Sequence, residues 1–89
     1  MKISVIIVNF NTQKLLKDCL SSLFEKNKKA QMEVIVVDNA SSDGSAEMVE
    51  KFFPKVILIK NKKNLGFAAG NNVGLKGASG EYLLLLNSD

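Results

Sequence analysis

The sequence has no histidine, no arginine and no tryptophan, and it carries one cysteine and one proline. Without histidine, Ser-His and Cys-His nucleophilic machinery and the common histidine-containing zinc sites are excluded. The single Cys19 excludes an internal disulfide and reads as a buried thiol in a reducing compartment. Long hydrophobic runs are missing too. The longest apolar stretches are Val5–Val8, Val34–Val37 and Tyr82–Leu86, against the ~20 residues that a membrane span needs. The start, Met1-Lys2 and an apolar run broken at Ser4, lacks a signal-peptide pattern and points to a cytoplasmic location. What is present is ordinary for a globular chain: 89 residues, 46% hydrophobic and 24% charged, with a net charge of +3 and lysine as the only basic residue type. That balance excludes disorder, collagen and a disulfide scaffold, and fits one small domain. Chemistry is left to carboxylates, amides, backbone groups or a metal ion.

Four short runs, Ile3–Val8, Val34–Val37, Val56–Ile59 and Tyr82–Leu86, are rich in valine, isoleucine and leucine and continuous rather than alternating. Continuous apolar strands imply burial on both faces, as in a parallel sheet covered by helices. Helical spacing fills the gaps between them. Leu15, Leu16, Cys19, Leu20, Leu23 and Phe24 form one stripe, which Asn11 or Thr12 caps. A second helix is expected from about Ser42 to Phe53, with Ala46, Val49, Phe52 and Phe53 inward and Pro54 as its stop. A third runs from about Phe67 to Ala78, and its inward face (Phe67, Gly70, Asn71, Gly74, Leu75, Ala78) is small and polar. The fold class is therefore α/β: a Rossmann-like parallel sheet of four strands in βαβαβαβ order. Lys60, Lys62 and Lys63 form a basic cluster that reads as a solvated loop or as a phosphate-attracting patch. The chain stops soon after its fourth strand and reads as the amino-terminal part of a longer enzyme.

Ligands of open parallel sheets bind beyond the carboxyl ends of the strands, where the strand order reverses. Each strand here runs straight into polar residues: Asn9-Phe10-Asn11, Asp38-Asn39, Lys60-Asn61 and Asn87-Ser88-Asp89. Asn11, Asn39, Ser41 and Ser42 read equally well as turn and cap residues. Asp38 and Asp89 follow fully apolar strands, where a carboxylate accepts from a nucleobase or ribose, or ligates a hard cation. Phe10 reads either as a core plug or as a platform on which a nucleobase stacks.

These residues carry a resemblance. Ser4-Val5-Ile6-Ile7-Val8-Asn9-Phe10-Asn11 resembles the opening strand of family 2 glycosyltransferases, which have the GT-A fold. Val36-Val37-Asp38-Asn39-Ala40-Ser41-Ser42-Asp43-Gly44-Ser45 is similar to the second-strand motif of that family. Asn64-Leu65-Gly66-Phe67-Ala68-Ala69-Gly70-Asn71-Asn72-Val73-Gly74 resembles its third block, in the form of the rhamnosyltransferase-like branch. Leu84-Leu85-Leu86-Asn87-Ser88-Asp89 looks like the strand leading into the DxD metal motif.

The resemblance implies the nucleotide-binding half of a GT-A fold, truncated at the DxD-like motif, spanning residues 1–89. Val8 and Phe10 would line the base pocket, Asp38 would accept from the imide N–H of uracil or thymine, and Asn11 and Asn39 would join them. Asn64, Gly66 and Asn71 would shape the floor, and Asn87 and Ser88 would face the ribose or the waters of the ion. Asp89 would hold Mg²⁺ or Mn²⁺. The donor would be a UDP- or dTDP-sugar and the acceptor a saccharide or a lipid-linked hydroxyl, with no nucleic acid involved. The resemblance further implies inversion, a role in cell-surface polysaccharide synthesis in bacteria, and a parent enzyme at the inner face of the membrane. Two departures stand out: Asn87 replaces the first carboxylate of the metal motif, and Gly70 stands where many relatives carry arginine. The general base is expected beyond Asp89, so no catalytic residue is assigned within the chain, and the chain alone would not turn over.

Rival readings are an inactive fold-only fragment, a nucleotide-binding module without catalysis and a dinucleotide-binding oxidoreductase domain. The last requires Gly-x-Gly-x-x-Gly after the first strand, where Asn9-Phe10-Asn11-Thr12 stands instead. A phospho-acceptor receiver would need paired acidic residues there. Ending at its fourth strand, the chain is also expected to self-associate, by pairing through an exposed strand edge or by exchanging a terminal element.

Overall fold

The computed structural model describes residues 2–29 and 31–87, except for the Asn87 side chain. The expected α/β order holds: β1 (Lys2–Asn9), α1 (Gln13–Lys26), β2 (Gln31–Asp38), α2 (Ser45–Phe52), β3 (Ile57–Lys60), α3 (Gly66–Gly77) and β4 (Tyr82–Asn87). The four strands form one sheet in the order β3-β2-β1-β4, and every pairing is parallel. β1 lies inside the sheet, with Val5 opposite Val34 on one side and Leu84 on the other.

Successive side chains of a strand point to opposite faces, so the unbroken apolar runs build two cores. Val5, Ile7, Val34 and Val36 pack beneath Leu16 and Leu20 of α1 and Met48 and Val49 of α2. Ile6, Val8, Ile35 and Val37 face α3. The helices thus divide between the two faces, and the strand order reverses at β1, placing a crevice at the carboxyl ends of β1 and β4. α3 sits very close to the sheet. A β-carbon on Gly74 would lie 2.5 Å from Ile6 Cγ2, and one on Gly70 would lie 2.8 Å from Val8 Cγ1.

Several expectations are corrected. Leu15 is exposed, and the buried stripe of α1 is Leu16 and Leu20. Cys19 is half-buried rather than buried, and burial pushes its thiol up. α2 begins three residues later than Ser42, behind Gly44 at φ 85°. Phe52 lies outside, because Phe53 leaves helical geometry and stacks on Phe24 with ring centroids 6.1 Å apart. Phe67 is also exposed, since the first turn of α3 projects beyond the sheet at the crevice. Thr12 makes no side-chain cap on α1. The carboxylate of Asp43, from the following loop, accepts from the Gln13 amide at 3.0 Å instead.

The other end of the sheet is closed by a polar latch. The Ser4 hydroxyl donates to Glu33 at 2.7 Å and accepts from the Gly80 amide at 2.8 Å, while the Ser79 amide donates to Glu33 at 3.0 Å. The Ser79 amide and the Ser4 hydroxyl hold the Glu33 carboxyl below its ordinary value of 4.5. A lowered carboxyl contributes stability that is complete above the ordinary value and is lost as pH falls through the lowered one. Glu33→Gln is therefore expected to cost about 1 kcal/mol at neutral pH. It should also flatten the acid limb of the stability curve, which urea titrations from pH 7 downward would check.

Along β4, Tyr82, Leu83, Leu84 and Leu85 are all about half exposed. Both faces of this strand and its outer edge are open among the described residues.

Candidate nucleotide site

β1 and β2 are in register so that Asn9 pairs with Asp38 at their carboxyl ends. Both are buried, and they form the base of a hydrogen-bonded lattice between two loops. The Asp38 carboxylate accepts from Asn9 Nδ2 at 3.0 Å and from Ser41 Oγ at 2.7 Å on one oxygen, and from the Ser41 amide at 3.0 Å on the other. The Asn11 amide donates to Ser41 Oγ at 2.9 Å, and Asn11 Oδ1 accepts from the Ser42 amide at 2.8 Å. Asn11 and Ala40 both adopt positive φ, 51° and 62°. Such backbone persists where the surroundings over-determine it.

Asp43 completes the lattice. One of its oxygens caps α1 through Gln13, and the other accepts from the amide and hydroxyl of Ser45 at the start of α2. Burial pushes this carboxyl up, but the Ser45 hydroxyl and the amides of Gln13 and Ser45 outweigh it and hold the group below its usual range. One carboxylate thereby fixes the entry of two helices.

Phe10 is the residue of this loop left outside. Both neighbours are tied down, and its ring is 46% exposed at the crevice, which rules out the core-plug reading. Val8 is buried against α3, so only its backbone faces the mouth. Asn39 is 1% exposed and bonded by the protein at both ends of its amide. Its Nδ2 donates to the Gly66 carbonyl at 3.1 Å, and its Oδ1 accepts from Asn61 Nδ2 at 2.8 Å. Asn64 Oδ1 accepts from the Gly66 amide at 2.8 Å and starts α3, with Gly66 at φ 83°. Asn71 is buried on α3, and its Oδ1 has no partner among the described residues.

At Gly70 a β-carbon would also stand 3.2 Å from Asn39 Nδ2, so a side chain here would collide with Asn39 and Val8. Lys60 pairs with Glu50 at 3.3 Å and points away from the phosphate-patch reading, while Lys62 and Lys63 are exposed. The Asn87 backbone lies opposite Val8, at the crevice. Its side chain, Ser88 and Asp89 fall outside the described residues. Among the described residues no group of three acidic or thiol side chains is placed to hold a metal.

Sequence reasoning missed Asn9, Ser41, Asp43 and Asn61 as members of this lattice. Their signal was positional: each stands at a strand end or one turn beyond it.

A parallel α/β sheet with its polar residues gathered beyond the strand ends is the ligand-binding arrangement of open doubly wound folds. The chain belongs to glycosyl transferase family 2, whose family model matches residues 4–89. It is 41% identical over 92 residues to the uncharacterized glycosyltransferase YfnE of Bacillus subtilis, covering all of this chain and 23% of that protein. Crystallographic TarS of Staphylococcus aureus with UDP superposes with a TM-score of 0.88 at 36% identity, over 100% of this chain and 28% of that one. The mannosyltransferase PcManGT of Pyrobaculum calidifontis, in complex with GDP-Man and Mn²⁺, gives 0.87 at 28% identity, over 98% and 27%. The chain thus spans about a quarter of YfnE and of the PcManGT chain, and 16% of TarS, whose UDP complex holds residues 1–349. Among the described residues no helix is long and apolar enough to cross a membrane.

Proposed function

We propose that this chain is the donor-binding part of an enzyme that transfers a sugar from a UDP- or dTDP-sugar to an acceptor hydroxyl. The observation that carries the reading is Phe10: an exposed ring on a loop whose neighbours, Asn9 and Asn11, are both locked. A rigid aromatic face beside a buried carboxylate suits a flat base that carries an N–H. Asp38 has a bond-rich oxygen turned to Asn9 and Ser41 and a second oxygen with one protein donor, which leaves it capacity for an imide N–H. Asn71, buried on α3, helps to shape the floor. Asn11 and Asn39 act as braces in this reading, and Val8, Asn64 and Gly66 shape the floor with their backbone.

A divalent ion, Mg²⁺ or Mn²⁺, when bound supplies Lewis-acid neutralisation of the charge on the departing nucleoside diphosphate. Asn87, Ser88 and Asp89 would hold it, with Asp89 as the one carboxylate of the set. In an inverting transfer the acceptor oxygen bonds to the anomeric carbon as the bond to the diphosphate oxygen breaks, and the hydroxyl proton passes to a base. That base and the acceptor site belong to residues beyond 89 in this reading, so the chain alone binds without turnover. The acceptor is a saccharide or a lipid-linked hydroxyl, the setting is bacterial cell-surface polysaccharide synthesis, and the branch is the rhamnosyltransferase-like one. Alone, the chain pairs through its β4 edge.

Titration calorimetry on the full-length protein tests the donor. UDP or dTDP is expected to bind more tightly than CDP, whose base lacks the N3 proton; equal affinity for CDP would sink the assignment to Asp38.

A further inference from the structure

Away from the crevice, the outer surface of α1 and α2 carries a feature that donor binding does not use. Phe52 is 53% exposed, with Lys17 Nζ 4.6 Å and Lys51 Nζ 5.3 Å from its ring centroid. The ring forms one wall of a groove of about 480 Å³ that Lys14, Lys17 and Lys51 line against a single carboxylate, Glu47. Next to it, Phe24, Phe53, Pro54 and Lys55 frame a shallower apolar depression.

The charge of the molecule is gathered on this side. The two helices and the turns that follow them hold seven of the twelve lysines, against four carboxylates. One of those four, Glu50, is already engaged by Lys60. Among the described residues that is the ion pair formed; Lys14, Lys17 and Lys51 are not matched by a carboxylate at salt-bridge distance. Lysines gathered around an exposed ring, rather than paired with acids, leave both positive charge and apolar area unspent.

We propose that this face docks on an anionic lipid surface, with Phe52 and Pro54 entering the headgroup layer and Lys14, Lys17 and Lys51 meeting lipid phosphates. Charge complementarity selects an anionic partner, and the aromatic component selects a lipid surface over a dissolved polyanion, which rewards the lysines alone. Lysine stems lie along apolar surface while their ammonium groups reach phosphate, which suits their position over the ring. The inference stands independently of which nucleotide the crevice takes.

Flotation of the protein with vesicles tests it. Vesicles of phosphatidylglycerol and phosphatidylcholine are expected to carry the protein upward, and phosphatidylcholine alone is not. Added salt should release it. The variant Lys14→Gln, Lys17→Gln, Lys51→Gln should lose about a hundredfold in partitioning, and Phe52→Ser about tenfold. A control variant of equal net charge, Lys62→Gln, Lys63→Gln, Lys76→Gln, should float as the parent does. The proposal is overturned if no flotation occurs, if neutral vesicles serve equally, or if the control loses as much as the triple variant. It is also overturned if soluble polyglutamate binds as tightly with Phe52→Ser unaffected, which would point to an acidic polymer or protein instead.

Discussion

Gly74→Ala is expected to destabilise the fold by about 2 kcal/mol, although alanine is the better helix former. Propensity alone would favour the substitution by ~1 kcal/mol. Against it stands the distance from the new β-carbon to Ile6 Cγ2, 2.5 Å, with Val37 Cγ2 at 3.3 Å. Ile6 is fully buried and β-branched, so its methyl cannot swing aside, and the sheet beneath it is closed on both sides. Either α3 lifts or β1 deforms, and overpacking of this kind costs ~1–3 kcal/mol and occasionally more. For a chain this size the melting temperature should fall by roughly 8–16 °C. Gly77→Ala is the matched control. Its β-carbon would meet Ile35 Cδ1 at 3.9 Å, an ordinary contact, so that variant should be neutral or gain ~0.5 kcal/mol. Two glycines on one helix giving opposite signs in a thermal melt would locate the close approach. Equal effects would contradict it.

The second large effect is expected at Asp38, where replacement by asparagine keeps the shape and removes the charge. Three donors converge on the carboxylate, from Asn9 Nδ2, Ser41 Oγ and the Ser41 amide. Whichever way the new amide turns, its NH₂ faces at least one of them. The site is 3% exposed, so water cannot repair the mismatch, and a loss of about 2 kcal/mol should appear in urea unfolding. If the second carboxylate oxygen also receives a base N–H, UDP affinity should fall by a further ~1.5–3 kcal/mol while CDP affinity changes less. Ser41→Ala separates the two roles, because it loosens the lattice and leaves the carboxylate in place. It should lower stability yet preserve the preference for UDP over CDP.

Strand positions were legible because the strands read as unbroken apolar runs; Val5–Val8 and Val34–Val37 are buried on both faces as that pattern implies, whereas Tyr82–Leu85, equally apolar, stands half exposed at the sheet edge. Helix edges were harder. Ser42 looks like a cap, but Gly44 at φ 85° and the double-duty Asp43 start α2 later. Phe52 and Phe53 are adjacent and alike, and which one turns inward depends on where the helix unwinds against Phe24. The crevice itself was legible from the strand ends. The lattice within it was not, since its bonds join Asn9, Asn11 and Gln13 to partners 29 to 32 residues away. Local patterns carry no record of such pairings. Asn11 and Asn39 stand at the mouth as expected, and what the sequence did not show is that they also brace it, through Asn11 Oδ1 to the Ser42 amide and the Asn39 amide group to Gly66 and Asn61.

The position of β1 between β2 and β4 has a consequence during synthesis. β2 is complete at Asp38, but β4 begins only at Tyr82. At ~5–20 residues per second, one edge of the first-made strand waits roughly 2–9 s for its neighbour. Throughout that interval Ser4 and Glu33 lack Ser79 and Gly80, so the latch at that end is also open. A nascent chain therefore exposes the backbone of Ser4–Val8, the most apolar strand paired on both sides, before anything is available to cover it. The ribosome-bound intermediate, rather than the finished domain, is where this sequence is most open to a foreign strand or a chaperone.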